Sequence, residues 1–241
     1  MLEITSKNNP KIKEAASLRN KKNRQEKGLF LMEGKKNLEM ALKYGEVVEI
    51  FTAVGLPKIK QDTAVYQVND DIIKKLAVSD NPEGIVFVCK NIARKKESKD
   101  YHKIVYLDKV NDPGNLGTII RSAVAFNYDA VILAKGSVDL YNDKVLAATK
   151  GAIFLIDAFY DDLISYKKNR TVIVSTLNEK SVPLATCQKP NDLILVLGNE
   201  SHGVSHEISS LGDVFVKIEM SEKIDSLNVA IAGGILMNYF K

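Results

Sequence analysis

Over residues 104–241, apolar runs of strand length alternate with stretches of helical character. The candidate strands are Ile104–Leu107, Ala130–Ala134, Ile153–Ile156, Thr171–Ser175, Leu193–Leu197 and Val214–Ile218. Several are unbroken, such as LILVL at Leu193–Leu197. A strand with one wet face alternates apolar and polar residues, whereas an unbroken apolar run marks a strand covered on both faces. Helical stretches lie between most of these strands, and one closes the chain. The pattern predicts an α/β unit whose parallel or mostly parallel sheet carries helices on both sides. Ligands in such sheets sit beyond the carboxyl ends of the strands. The most unusual residues of this chain fall there.

The first part reads as a smaller α/β unit. Asn8-Asn9-Pro10 starts a helix that runs into a basic cluster, RNKKNRQEKG, at Arg19–Gly28. A short strand is expected at Leu29–Met32 and a helix over Gly34–Gly45, with Gly45 as its stop. Val47–Ala53 and Gly84–Cys89 are further strands, with a helix at Asp70–Val78 between them. The polar stretch Lys90–Lys103 reads as a linker. The expected division is 1–93, a linker at 94–103, and 104–241.

Composition removes several classes. The chain has 241 residues, 45% of them hydrophobic, enough for one large or two small globular domains. Its longest apolar runs are too short for a transmembrane helix, and its first residues lack a signal-peptide core. Cys89 and Cys187 stand alone, so reduced thiols in the cytoplasm are expected. Three histidines and two scattered cysteines give no metal-ligand spacing. His202 and His206 are four apart, with no further ligand nearby. Net charge is +4, but residues 1–103 carry +7 and residues 104–241 carry −3. A basic end on an acidic body suits a polyanion held by that end. On charge alone, a solvated lysine-rich helix face explains the run at least as well.

Three loops at strand ends hold the candidate chemistry. The first is NDPGNLGTIIR, Asn111–Arg121. Asn115 is a candidate cap for the following helix. Gly117 and Arg121 share a helix face, so something could approach the backbone while the guanidinium reaches it. The second is LGNESHGVS, Leu197–Ser205. Gly198 lets a ligand approach, Asn199, Glu200 and Ser201 gather polar groups, and Gly203 allows the bend. A plain surface turn has the same composition. In the third, a polar loop after the strand leads to Ser226-Leu227-Asn228 at a helix start, with Ser226 as N-cap. The last helix is apolar nearly all round, so burial is expected. Gly233-Gly234 within it suggests close packing against a helix of this chain or of a partner.

Together, in this order, these loops resemble the SpoU-type RNA 2′-O-ribose methyltransferases of the SPOUT superfamily. Asn115, Gly117 and Arg121 match the first motif. Gly198, Asn199, Glu200 and Gly203 match the second, and Ser226, Leu227 and Asn228 the third. The middle stretch GSVDLYNDKVLAATKGAIF is family-like. SKNNPKIKEAASLRNKKNRQEKGLFLMEG and SDNPEGIVFV resemble the small RNA-binding domain that precedes the catalytic one in many members. Three positions depart: Glu219 stands where the family often has Pro, Ala147 where it often has Arg, and Thr149 where it often has Ser.

The resemblance implies a C-terminal trefoil knot, a homodimer, bound S-adenosylmethionine and an RNA substrate, ribosomal more readily than transfer RNA. No metal and no membrane partner are expected, from the ligand spacing and apolar-run lengths above. The resemblance assigns catalysis to Arg121, Asn115, Glu200, Ser226 and Asn228. It assigns the cofactor to Leu197, Gly198, Asn199, Gly203, Ile218, Met220, Ser226, Leu227 and Asn228. RNA contacts are expected at Arg121 and at Arg19, Lys21, Lys22, Arg24 and Lys27 of the basic cluster. A guanidinium stays protonated and is a poor base, so Arg121 is read as holding phosphate and offsetting the developing alkoxide. Asn115 would position Arg121 or the ribose, and Glu200 would orient Asn115 or Arg121 or act on the cofactor side. A non-catalytic RNA-binding assembly factor on the same fold is the rival reading. A nucleotide-dependent dehydrogenase fits poorly, because the first loop lacks GxGxxG.

Overall fold

The unbroken apolar runs form the middle of a seven-stranded sheet in the computed structural model, which describes residues 2–56, 59, 63–92 and 100–241. The chain divides into two compact units, 1–93 with 141–155, and 94–140 with 156–241. The expected linker lies outside the described residues from 94 to 99.

The second unit holds β6 (Lys103–Leu107), β7 (Ala130–Leu133), β8 (Asp157–Tyr160), β9 (Thr171–Ser175), β10 (Val182–Pro183), β11 (Leu193–Leu197) and β12 (Val214–Lys217). Their order is β10-β12-β9-β11-β6-β7-β8, and every pairing is parallel. All residues of β11 and β7 are buried. Two helices pack together beside the sheet, α5 (Pro113–Ala125) and α8 (Val229–Tyr239), while the single turn α7 (His206–Ser209) follows β11. Gly233 lets α8 approach: a Cβ there would stand 2.7 Å from Leu197 Cδ1. Gly233 therefore serves packing within the chain, whereas a Cβ at Gly234 would meet only Ser122 Oγ, at 4.0 Å. The helix is not buried all round, because Ile231 and Ile235 remain 56% and 40% exposed.

The first unit carries a five-stranded sheet of order β1-β4-β3-β5-β2. Its strands are β1 (Leu2–Ile4), β2 (Leu29–Glu33), β3 (Val47–Thr52), β4 (Ala64–Val68) and β5 (Ile85–Lys90). Its helices are α1 (Pro10–Ser17), α2 (Lys21–Lys27), α3 (Lys35–Tyr44), α4 (Asp70–Leu76) and α6 (Asp143–Thr149). One core joins Ile12, Leu18, Phe51, Ile72, Leu76 and Val86.

Several expectations are corrected. The N-terminal helix is two helices, because Asn9 and Asn20 each cap a new start through their side chains. The strand expected at Ile153–Ile156 is absent. Lys150 and Gly151 take left-handed conformations, with φ of 50° and 86°, and turn the chain into a short 3₁₀ helix at Ala152–Phe154. Phe154 then packs near Phe30, 6.2 Å between centroids. An apolar run alone cannot separate these outcomes. The short strands β1, β4 and β10 carry no strong sequence signal. Among the described residues no helix is long and apolar enough to cross a membrane. Cys89 is buried and Cys187 half-buried, and both are free thiols.

Candidate active site at the carboxyl ends of the parallel strands

Because the sheet is parallel, β12, β9, β11 and β6 all deliver their following loops to one edge. The loop after β6 begins at Asp108, which is 2% exposed and accepts a bond from Ser205 N at 2.6 Å. That bond ties the loop after β11 to the end of β6. The β11 loop also closes on itself: Asn199 N donates to Gly203 O and Gly203 N to Asn199 O, both at 2.9 Å. Gly203 takes a φ of 68°. Gly198 is needed for this closure, since a Cβ there would meet the carbonyl carbon of Gly203 at 2.3 Å. The space a side chain at Gly198 would take is thus filled by the loop's own backbone.

The caps differ from expectation. Asp112, not Asn115, caps α5, accepting from Asn115 N at 2.7 Å. Asn228, not Ser226, caps α8, accepting from Ala230 N and Ile231 N at 2.9 and 3.3 Å. Both asparagine side chains keep free capacity, and it joins the three loops. Asn115 Nδ2 donates to Glu200 Oε1 at 3.0 Å, and Asn228 Nδ2 donates to Asn115 Oδ1 at 2.9 Å. Of the groups expected near Glu200, Asn115 is the one it hydrogen-bonds. Glu200 also accepts from the backbone of Asn111 and Asp112 at 3.4 and 3.3 Å. Burial pushes its carboxyl up. The Asn115 amide and the backbone N–H groups of Glu200, Asn111 and Asp112 outweigh burial and hold it below the usual carboxylate range. Asn199 lends its amide to Lys109 O at 2.8 Å.

Beside this network lies a cleft of about 480 Å³, within the usual range for small-molecule sites. Leu197, Gly198, Asn199, Gly203, Ile218, Met220, Ser226, Leu227 and Asn228 all line it, as does Glu200. Sequence reasoning missed Lys217 and the group Ser175, Thr176 and Leu177, which also line it. The latter stand at the end of β9, a strand end with no glycine and none of the three motifs; its place between β11 and β12 brings them in. Glu219 and Asn115 do not line the cleft. Arg121 is exposed on the third turn of α5, and the described residues give its guanidinium no hydrogen bond or ion pair. Among the described residues, no three His, Cys, Asp or Glu side chains are grouped to hold a metal ion.

The basic cluster is less open than its composition implies. Arg24 is 5% exposed and donates to the carbonyls of Leu18 and Arg19 at 2.8 and 2.7 Å. Its guanidinium holds the turn between α1 and α2 and is not displayed to a partner. Lys27 pairs with Glu14 at 2.6 Å and Lys22 with Glu26 at 3.8 Å. Arg19 is exposed and donates to Ala77 O. Lys21 is exposed.

Comparison with known proteins matches both units. Residues 102–238 match the sequence model of the SpoU rRNA Methylase family, and residues 9–86 that of the MRM3-like substrate binding domain. The chain is 30% identical over 249 aligned residues, spanning both proteins fully, to the 23S rRNA (guanosine(2553)-2′-O)-methyltransferase RlmP of Bacillus subtilis. The AdoMet-bound rRNA methyltransferase of Sinorhizobium meliloti superposes with a TM-score of 0.88 at 30% identity, over 99% of this chain and 96% of that one. An RNA 2′-O ribose methyltransferase structure superposes at 0.82 with 28% identity, over 99% and 98%.

Proposed function

The chain belongs to the SpoU rRNA methylase family, and from that premise we propose that it methylates a ribose 2′-hydroxyl of ribosomal RNA with S-adenosylmethionine as donor. One observation carries the reading: Asn115 joins Glu200 and Asn228 at 3.0 and 2.9 Å, so three distant loops form one polar wall. Binding of RNA alone gives no reason for such a wall beside a small-molecule cleft.

The cleft suits the cofactor by its chemistry. Leu197, Ile218, Met220 and Leu227 offer an apolar lining for an adenine ring, and backbone groups around Gly198 and Ile218 offer donors and acceptors to its edge. Ser226 and Asn228 lie in the same lining for the methionine part. When bound, S-adenosylmethionine supplies a methyl group already activated by its positive sulfur. The chain must then hold the ribose oxygen in line and ease loss of its proton. Glu200 is an ionised acceptor engaged by N–H groups, so its role is to hold Asn115 in place. Arg121 is the available charge: its guanidinium takes a phosphate oxygen of the substrate and offsets the negative charge on O2′ as the proton leaves to water.

The same reading includes a homodimer, with a second copy over the exposed face of α8 at Ile231 and Ile235. It includes a knotted C-terminal part, supported by β11 lying between the earlier strands β9 and β6. The site of action is the cytoplasm. Ala147 belongs to α6 in the first unit, and Glu219 is exposed outside the cleft lining, so both departures bear on substrate choice more than on the transfer step. Arg121→Ala is expected to bind S-adenosylmethionine as the native chain does and to lose methyl transfer at least 100-fold. Assays with tritiated donor and ribosomal RNA check this, and full transfer by that variant would refute the assignment. Mapping ribose methylation in cells with and without the protein identifies the nucleotide.

A further inference from the structure

The first unit has a pocket of its own, of about 240 Å³. Leu31, Leu76 and Leu146, all buried, line it. Two acceptors join this apolar lining. Glu83 Oε2 accepts from Lys35 N at 2.9 Å, and its Oε1 has no partner among the described residues. Asn37 Nδ2 donates to Glu33 O at 2.7 Å, which leaves Oδ1 to accept. Both oxygens of Glu33 are engaged elsewhere: they hold Val78 N and Ser79 N at 2.9 and 3.2 Å and so fix that loop. Two exposed cations, Arg19 and Lys150, also line it, beside the buried Arg24 and beside Asp143, whose Oδ1 accepts from Lys144 N at 2.8 Å. Lys150 has no hydrogen bond or ion pair among the described residues.

This lining selects a kind of ligand. The volume falls below the usual 300 Å³ or more of small-molecule sites, so it suits one flat base and leaves the rest of a nucleotide outside. The acceptors call for adjacent N–H donors. A basic peptide or free amine would supply donors but would meet Arg19 and Lys150. A base carried on a phosphodiester satisfies both, because the phosphates meet the cations. Of the four RNA bases, only guanine presents two neighbouring N–H donors, N1–H and N2–H, to one carboxylate on its pairing edge. Single-stranded RNA exposes that edge when a base is unstacked.

The geometry points to this pocket as the seat of an unpaired guanine in the RNA substrate, read by Glu83 and Asn37 and held by phosphate contacts to Arg19 and Lys150. The inference rests on the RNA reading above and extends it to a base the enzyme recognises away from the chemistry.

The test uses the full chain and two labelled heptaribonucleotides, UUUGUUU and UUUUUUU, followed by fluorescence anisotropy. The native chain should bind the guanine-containing strand on the order of tenfold tighter. Glu83→Gln keeps an oxygen for Lys35 N but replaces the other acceptor with an N–H donor. It should bind both strands alike, with an unchanged circular dichroism spectrum. Lys150→Ala should weaken both strands and lower the salt slope by about one. Equal binding of the two strands by the native chain, a preference that survives in Glu83→Gln, or unchanged binding by Lys150→Ala each overturns the seat. Methyl transfer is assayed separately. A chain that methylates ribosomal RNA without guanine preference loses only the seat. A chain that prefers guanine but transfers no methyl loses only the proposed reaction.

Discussion

Gly198→Ala tests whether the closed loop after β11 builds the cofactor cleft. The added Cβ would lie 2.3 Å from the Gly203 carbonyl carbon, 2.4 Å from Val204 N and 2.6 Å from Gly203 O. Favourable carbon contacts lie near 3.5–4.0 Å, so the strands of the loop must part by about 1 Å or more. The obstacles are backbone atoms, and no side chain can swing aside. Opening breaks the two bonds between Asn199 and Gly203, worth about 1 kcal/mol each. It also strains the bond from Ser205 N to the buried Asp108 carboxyl, worth about 1.5–3 kcal/mol. The local cost is therefore about 3–5 kcal/mol. Because Gly198, Asn199 and Gly203 wall the cleft, most of that cost should appear in binding. A loss of 3 kcal/mol is a weakening of about 150-fold. Calorimetric titration with S-adenosylmethionine measures it, with circular dichroism to confirm the fold. Gly203→Ala is the control: nothing lies within 4 Å of its added Cβ, but its φ is 68°. Its cost is the left-handed conformation alone, about 1–2 kcal/mol, or roughly tenfold. If Gly198→Ala binds within threefold of the native chain, or Gly203→Ala is the worse of the two, the loop does not shape the cleft as argued.

Two further perturbations separate neighbouring roles. The folded Glu200 carboxyl lies below its ordinary value, so its stabilisation is complete above the unfolded value of about 4.3 and disappears as pH falls through the folded one. In urea unfolding, the native chain's advantage over Glu200→Gln should hold steady above about pH 5 and shrink below about pH 4; an advantage that grows on acidification contradicts the sign. Arg24→Met should destabilise the first unit by about 2–4 kcal/mol without changing the salt slope of RNA binding. Lys21→Ala should leave stability alone and reduce that slope by about one, and the opposite pattern would return Arg24 to the RNA-facing surface.

Periodicity served best where burial is most symmetrical. Thr171–Ser175 and Leu193–Leu197 are strands at the residues expected, because a strand covered on both faces has few ways to be anything else. Ile153–Ile156 was as apolar, yet it follows two residues in left-handed conformations and becomes a helical turn. Arg24 looked like its neighbours in the basic cluster. Its burial depends on the carbonyls of Leu18 and Arg19 left open by the break between α1 and α2.

The site divides along similar lines. Sequence alone determined that polar loops follow the β6, β11 and β12 strands, the first two of them bearing glycines, because apolar runs and the residues that interrupt them are local properties. It did not determine which asparagine caps a helix and which crosses to another loop, since both uses suit the same amide. Tertiary structure decided that: Asp112 takes the cap of α5, which frees Asn115 to bridge Glu200 and Asn228. Sheet order likewise decided that the unmarked end of β9, lying between β11 and β12, contributes Ser175, Thr176 and Leu177 to the cleft. Contacts between residues some 85 or more positions apart have no local signature. They exist only once parallel strands bring their carboxyl ends to one edge.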